Sequence, residues 1–308
     1  MAQVLFIHND RIQVWLEKYR KYSLPDKLRN SVDEVSQKML GLALGGGAYR
    51  GVAHLGVLKA FEEEGLKPGF LSGTSSGGLA AAFYAFGMPL EEIRDLADKL
   101  HWLRVSTFNV PKLGLLNNSE LGRFVEKHLG SKNIEESPIP LALVASDIST
   151  GEKVILKTGS LSQALMATTC IPGVFSPVQV GGRMLVDGAL VENVPMTVLK
   201  EMGASVRVGV SLGSESYRKP ENMIQVIINA INIATDQTNL ASEGKFDLML
   251  KPELQTYGFL DNGNSLKLFA EGYRSAMMVL EKVRSMIDAA GPSSLEQVEA
   301  KFLKWLRG

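Results

Sequence analysis

The chain has 308 residues with 33 basic and 33 acidic side chains, so no net charge draws it onto nucleic acid. Hydrophobic residues make up 45% and charged residues 21%, as in a globular domain, and no shift in composition divides the chain. The single cysteine, Cys170, excludes an internal disulfide, and the apolar run Val4 to Ile7 is too brief for a signal peptide, so a reducing, cytoplasmic location is expected. No uncharged apolar run approaches the ~20 residues that span a bilayer, which restricts any lipid contact to the periphery of the inner membrane surface.

Residues 1–38 read as a helical extension, with Ile12, Trp15, Leu16 and Tyr19 at helical spacing beside Lys18, Arg20 and Lys21. Two readings stand: a helix packed on the domain, and a basic aromatic helix resting on a membrane. Residues 39–308 read as one α/β domain. It opens with a strand (Leu40 to Leu44), the loop Gly45-Gly46-Gly47-Ala48-Tyr49-Arg50-Gly51, a helix (about Val52 to Gly65), a strand near Phe70 and then Gly73-Thr74-Ser75-Ser76-Gly77. A helical crossover makes the two strands parallel and almost always right-handed, so both end on one edge of the sheet. That places the Gly45 to Gly47 backbone beside Ser75. A hydroxyl on a sharp strand-to-helix turn and nearby N–H groups are two parts of an acyl-transfer site.

Ser76 to Gly87, rich in alanine and aromatics, reads as a buried helix behind the serine. Helices follow at Pro89 to Leu100 and at Ser119 to Leu129, the latter with Ser119 as its cap. Between them Trp102 to Asn118 is apolar without a steady period: a candidate mouth for a greasy substrate, or a loop covering core. Leu141 to Ala145 forms a strand running to Asp147, paired with Lys153 to Leu156 across Thr150-Gly151, where an aspartate is usually structural. Leu161 to Ala167 is a short helix, and Cys170 beyond it reads as inert apolar filling. Gly181-Gly182 signals a hairpin between Val178 to Val180 and Met184 to Val186, which leads into Asp187-Gly188-Ala189. A helix at Met196 to Met202, a strand at Val206 to Ser211, a helix at Pro220 to Leu240 and a strand at Leu248 to Leu250 follow. Helices at Leu266 to Ala289 and Leu295 to Leu306 close the chain.

A serine hydroxyl needs a base, usually a histidine steered by a carboxylate. The four histidines are His8, His54, His101 and His128, and none follows Asp187, so the α/β-hydrolase order of serine, acid and histidine is nearly excluded. His54 sits one turn into the first crossover helix among Val52, Leu55 and Val57 and reads as packed rather than catalytic. A carboxylate can act as base if burial lifts its pKa toward neutrality. Asp187 leads the candidates, because it follows Met184, Leu185 and Val186, and Gly188 allows a close backbone approach; an Asp-Gly pair that merely ends a strand remains the alternative.

Together, Gly45 to Gly47 with Arg50-Gly51, Gly73-Thr74-Ser75-Ser76-Gly77, and Asp187-Gly188-Ala189 resemble the patatin-like phospholipase family, in particular its bacterial branch related to neuropathy target esterase. The resemblance extends over about Leu40 to Leu212 and includes Ala53 to Leu58, Pro172 through Phe175 to Pro177, and Asn193 with Pro195. It implies a patatin-like three-layer α/β/α fold, with a mainly parallel central sheet and helices on both faces. It also implies a Ser-Asp dyad without histidine: Ser75 as nucleophile, Asp187 as base, Gly45, Gly46 and Gly47 as oxyanion hole, and Arg50, Gly51, Gly73, Gly77 and Gly188 in support. The implied substrates are fatty acyl esters of phospholipids or lysophospholipids, cleaved through an acyl-serine without metal or organic cofactor. Ser76 stands where the family often has alanine, and Ala189 where many members have glycine.

Three rivals are weighed against this expectation. A dinucleotide fold fits Gly45 and Gly47 but meets Arg50 at the third glycine position, with no acidic residue ending the second strand. A catalytically idle lipid-binding or interaction protein keeps the same motifs, and an acyltransferase shares the acyl-serine. Oligomeric state and head-group preference are not legible in the sequence. Apolar residues in Trp102 to Leu116 and Met223 to Ala234 are compatible with an acyl channel, and the latter equally with a buried helix.

Overall fold

The structure is a computed structural model that describes residues 40–99, 107–108, 113–213, 219–220, 223–240, 247–258 and 263–290. The expected N-terminal helix, the helix at Leu295 to Leu306, and His8 and His101 lie outside the described residues. The strands are β1 (Leu40–Leu44), β2 (Phe70–Gly73), β3 (Thr107–Phe108), β4 (Leu116–Asn117), β5 (Leu141–Asp147), β6 (Lys153–Leu156), β7 (Val178–Val180), β8 (Arg183–Asp187), β9 (Val206–Val210) and β10 (Leu248–Leu250). The helices are α1 (Val52–Glu63), α2 (Ser76–Ala85), α3 (Leu90–Lys99), α4 (Ser119–Leu129), α5 (Leu161–Thr168), α6 (Met196–Met202), α7 (Met223–Leu240), α8 (Ser265–Met277) and α9 (Leu280–Ala290).

Eight strands form one sheet in the order β10-β9-β1-β2-β5-β8-β7, with β6 also on β5. The run from β10 to β5 is parallel, while β6, β8 and β7 pair antiparallel, so the sheet is mixed at one side. Alternation along β1 sorts the two faces. Leu40, Leu42 and Leu44 join the large core with α1, α2, α5, α8 and α9, whereas Ala43 faces α6 through Met196 and Leu199. Helices therefore cover both faces. The side chains of β5 alternate likewise, Leu143 and Ala145 toward the large core and Ala142 and Val144 toward Val198 of α6. Truncating a buried leucine such as Leu44, fully enclosed, costs about 2–5 kcal/mol.

The register on β5 positions the site. A strand has two hydrogen-bonding edges, and β6 occupies one of them along Leu143 to Ser146. The other edge is shared: β2 pairs along Leu141 to Leu143, with Gly73 opposite Leu143, and β8 pairs along Ala145 to Asp147, with Asp187 opposite Ala145. The outgoing end of β2 and the end of β8 thus meet at one place on one edge. No helix crossover joins them; the meeting is set by long-range pairing.

Three details depart from expectation. The helix predicted over Leu266 to Ala289 is two helices, because Val279 N–H turns back to Ala276 O at 2.9 Å in a tighter bond than an α-helix makes. Ser119 does not cap α4: Asn118 holds that position, and Ser119 N–H donates to Asn117 Oδ1 at 2.7 Å. The segment expected to lack a period contains the small antiparallel ribbon β3-β4.

Candidate active site

Ser75 sits between β2 and α2 with φ 53° and ψ −125°. Among the described residues only Ala48 shares a positive φ without being glycine. Such backbone costs about 1–3 kcal/mol and is held only when its surroundings over-determine it. Here they do. Ser75 N–H donates to Thr168 Oγ1 at 3.0 Å, and the Thr168 hydroxyl donates onward to Val144 O at 2.5 Å. The amides of Gly77 and Gly78 turn back to Thr74 O. Gly77 lies against the carbonyls of Leu44 and Gly45, and Gly73 against the backbone of Gly78, so a Cβ at either position would collide with main chain. Gly51 is similarly close to the Ser76 side chain, and Gly188 to Val144 O. The four glycines expected to support the site are each a place of close approach. Ser75 itself is half-buried, while its neighbours Thr74 and Ser76 are enclosed.

Asp187 ends β8 and is 5% exposed. Burial pushes its carboxyl up to about 6, against the hydrogen bonds from the Ser75 hydroxyl and from the Ala189 amide, both of which favour the ionised form. Ala189 N–H reaches Oδ1 at 2.9 Å, which turns the chain into the short 3₁₀ turn Gly188–Leu190. The Asp187 main chain is fixed on both sides, N–H to Cys170 O at 2.8 Å and C=O from Ser146 Oγ at 2.9 Å. The pairing on β5 thus puts Ser75 and Asp187 close to one another, and the Ser75 side chain is near enough to the Asp187 carboxyl to favour its ionised form.

The glycine loop is tied at several points. Gly45 N–H continues the β1-β9 ladder to Val210 O at 3.0 Å, and Gly46 N–H donates to Asn193 Oδ1 at 3.0 Å. Both amides are engaged, which departs from the expectation that Gly45, Gly46 and Gly47 all donate to an oxyanion. The amides of Gly47 and Ala48 have no acceptor among the described residues. Gly46 still matters by contact, since a Cβ there would crowd Asn193 Oδ1 at 2.8 Å and then the Ser75 Cβ at 3.2 Å. Arg50, 2% exposed, straps the loop from outside: Nε and Nη2 donate to Tyr257 O at 2.9 and 2.5 Å, and Nη1 to Gly213 O at 2.8 Å.

The sequence assigns no role to Asn193 and does not single out Thr168. Asn193 belongs to a segment that is stapled to β2 and the turn after it as well: Ser72 Oγ donates to Pro195 O at 2.9 Å and Thr74 Oγ1 to Glu192 O at 3.0 Å. One stretch, Asp187 to Pro195, therefore carries the buried carboxylate and clasps both the glycine loop and β2. The polar residues Ser72, Thr74 and Asn193 are the sequence features that, read together, could have found it. Thr168 left no such signal, because a threonine ending a short helix is ordinary.

The two described histidines do not approach Ser75 as partners. His54 is fully buried, its Nε2–H donates to Gly45 O at 2.7 Å, and desolvation lowers its pKa to about 4, so it is neutral. It braces the glycine loop from within α1. His128 Nδ1–H donates to Phe124 O at 2.8 Å on α4. Cys170 is enclosed, and burial first, then the nearby Asp187 charge, pushes its thiol up to about 12, consistent with inert filling. Asp147 serves its turn, Oδ1 accepting from Ser149 N–H at 2.9 Å. Most of the expected mouth at Trp102 to Asn118 lies outside the described residues; within it Leu113 and Leu115 are exposed and Leu116 is buried against Phe175 and Val174. On α7, Met223, Val226 and Ile233 are exposed, so that helix is not wholly buried.

The sequence model of the patatin-like phospholipase family matches residues 42–200, the stretch that holds the glycine loop, Ser75, Asp187 and Asn193. An uncharacterised NTE-family protein of Mycobacterium bovis is 35% identical over 185 residues, 59% of this chain and 51% of that protein. Lysophospholipase NTE1 of Kluyveromyces lactis is 25% identical over 289 residues, 82% of this chain and 20% of that enzyme. The chain thus spans about half the length of the first relative and a fifth of the second. Among solved structures, VipD of Legionella pneumophila is 16% identical with a TM-score of 0.46, covering 80% of this chain and 67% of that one. The chain belongs to the patatin-like phospholipase family, a family of lipid hydrolases.

Proposed function

We propose that the chain is a serine acyl hydrolase that cleaves fatty acyl esters of phospholipids or lysophospholipids through an acyl-serine, with Ser75 as nucleophile and Asp187 as base. The observation that carries this reading is a serine on a strained turn placed, by strand pairing on β5, beside a buried carboxylate whose pKa burial raises to about 6. An ordinary aspartate, near 4, is a weak base; at about 6 it is far better matched to a serine proton and still ionised at pH 7.

In the first half-reaction Asp187 takes the Ser75 proton as Oγ bonds to the ester carbonyl carbon. The carbonyl oxygen becomes an anion and is held by the amides of Gly47 and Ala48, with α2 presenting its positive N-terminal end nearby. Collapse breaks the ester C–O bond, and the departing alcohol takes the proton from Asp187. Water then attacks the acyl-serine with Asp187 again as base, which releases the fatty acid and restores Ser75. Loss of one such amide donor costs about 3–4 kcal/mol of transition-state stabilisation, so the loop's anchors at Asn193, Arg50 and His54 act on rate through geometry. Lipid contact in this reading is peripheral; no helix among the described residues is long and apolar enough to cross a membrane.

The test is covalent. A fluorophosphonate probe should label the wild type on the peptide containing Ser75 and leave Ser75→Ala unlabelled, and labelled protein should no longer release fatty acid from lysophospholipid. Labelling without turnover would instead mark a lipid-holding protein, and acyl transfer to an added alcohol in preference to water would mark an acyltransferase.

A further inference from the structure

On α2, Ser76, Leu79, Ala80 and Phe83 stand at i, i+3, i+4 and i+7 and so share one face. That face borders a mainly apolar cavity that opens in part to solvent. Leu55 of α1, Ile93 of α3 and Phe124 of α4 supply opposing walls. The described residues that line it include no charged side chain. Two side-chain hydroxyls reach its wall: that of Tyr49, which donates to Asp98 Oδ1 at 2.5 Å, and that of Ser76, buried with no partner.

Two lining residues, Ala48 and Ser76, directly follow Gly47 and Ser75 in the chain, and the Gly47 amide has no acceptor among the described residues. Along α2 the lining runs from Ser76 to Phe83, seven residues or about 10 Å at 1.5 Å per residue. The Phe83 ring packs on that of Phe124, centroids 6.3 Å apart with planes at 59°. We propose that this cavity takes the acyl chain of the substrate and that the Phe83–Phe124 pair closes it, so that the pair sets chain length. The proposal rests on the acyl-hydrolase reading and adds where the chain lies and what limits it. An ester carbonyl held between Ser75 and the Gly47 and Ala48 amides has its alkyl chain directed past Ser76 along α2. The chain gains apolar contact with each methylene until it meets the two rings, and longer chains must bend back toward solvent.

The experiment measures kcat/KM for p-nitrophenyl esters from butyrate to palmitate with wild type, Phe83→Ala and Ala80→Phe, each normalised to fluorophosphonate-labelled Ser75 so that only folded sites count. Wild type should rise about fourfold per methylene from butyrate, the value of a buried CH₂, and then level or fall before palmitate. Phe83→Ala should move the optimum to longer chains, raising the palmitate-to-butyrate ratio about tenfold or more, and Ala80→Phe should move it to shorter ones. If either protein fails to label, Phe83→Leu and Ala80→Val carry the same comparison with smaller shifts in the same directions. Unchanged chain-length profiles in labelled variants would overturn the proposal and place the acyl chain elsewhere. Absence of hydrolysis of every ester, butyrate included, by labelled wild type would overturn the acyl-hydrolase reading itself.

Discussion

The amide of Gly46 donates to the side-chain oxygen of Asn193 at 3.0 Å, across 147 positions of sequence. This bond joins the glycine loop to the segment that begins at Asp187, so the loop and the buried carboxylate are held by one clasp. Asn193→Ala removes the acceptor and leaves the Gly46 amide without its partner, which should lower stability by about 1 kcal/mol. It should lower kcat much more than it raises KM, because the loop's alignment counts most in the transition state. Steady-state kinetics with a soluble ester, together with urea unfolding, checks both outcomes; an unchanged kcat would deny Asn193 its positioning role.

Thr168 Oγ1 accepts from the Ser75 amide, and its hydroxyl donates to Val144 O. Thr168→Val preserves shape but leaves two buried polar groups unpaired, at a cost of about 1–3 kcal/mol, and frees the strained turn. We expect a lower melting temperature and slower labelling of Ser75 by a fluorophosphonate.

The pH dependence follows from Asp187. With its carboxyl near 6, kcat/KM should rise with pH and level above about 7, falling tenfold per unit well below pH 6. His54→Gln, which removes a histidine neutral down to about pH 4, should keep that limb in place. A limb that vanished in His54→Gln would transfer the base to the histidine.

The same shift bears on stability, with its sign set by linkage. The folded pKa of Asp187, about 6, lies above that of a free carboxyl, so its contribution is complete below about pH 4 and is lost as pH rises through 6. Asp187→Asn should therefore be more stable than wild type at pH 7–8, by about 1–3 kcal/mol, with the difference vanishing near pH 4. His54 works in the opposite sense: its folded pKa of about 4 lies below the ordinary value, so its contribution is complete above about pH 6.5 and is lost as pH falls through 4. In Asp187→Asn the histidine acts unopposed, and stability should fall steadily on acidification from pH 6.5 to 4. Denaturant unfolding across that range measures both.

Local chemistry made the elements and the Ser75 turn legible. The Gly181-Gly182 hairpin, with φ of 57° and 79°, and the paired strands around it follow from residues that few other types could replace. Helix α1 and strands β1 and β2 follow from the glycine loop and the βα pattern. The meeting of β2 and β8 on one edge of β5 was not legible, because it depends on which half of β5 each strand takes. Nor could the spacing of three glycines tell which amides are already engaged; that depends on Val210 and Asn193, far along the chain. The break between α8 and α9 left no proline or glycine to mark it.

The most direct test compares kcat/KM for lysophospholipid hydrolysis in wild type, Asp187→Asn, and a variant with His8, His54, His101 and His128 all replaced, in proteins verified as folded. Loss of roughly a thousandfold is expected in Asp187→Asn, with appreciable turnover in the protein without any histidine. Wild-type turnover in Asp187→Asn, or loss of turnover confined to the histidine-free protein, would contradict Asp187 as the base.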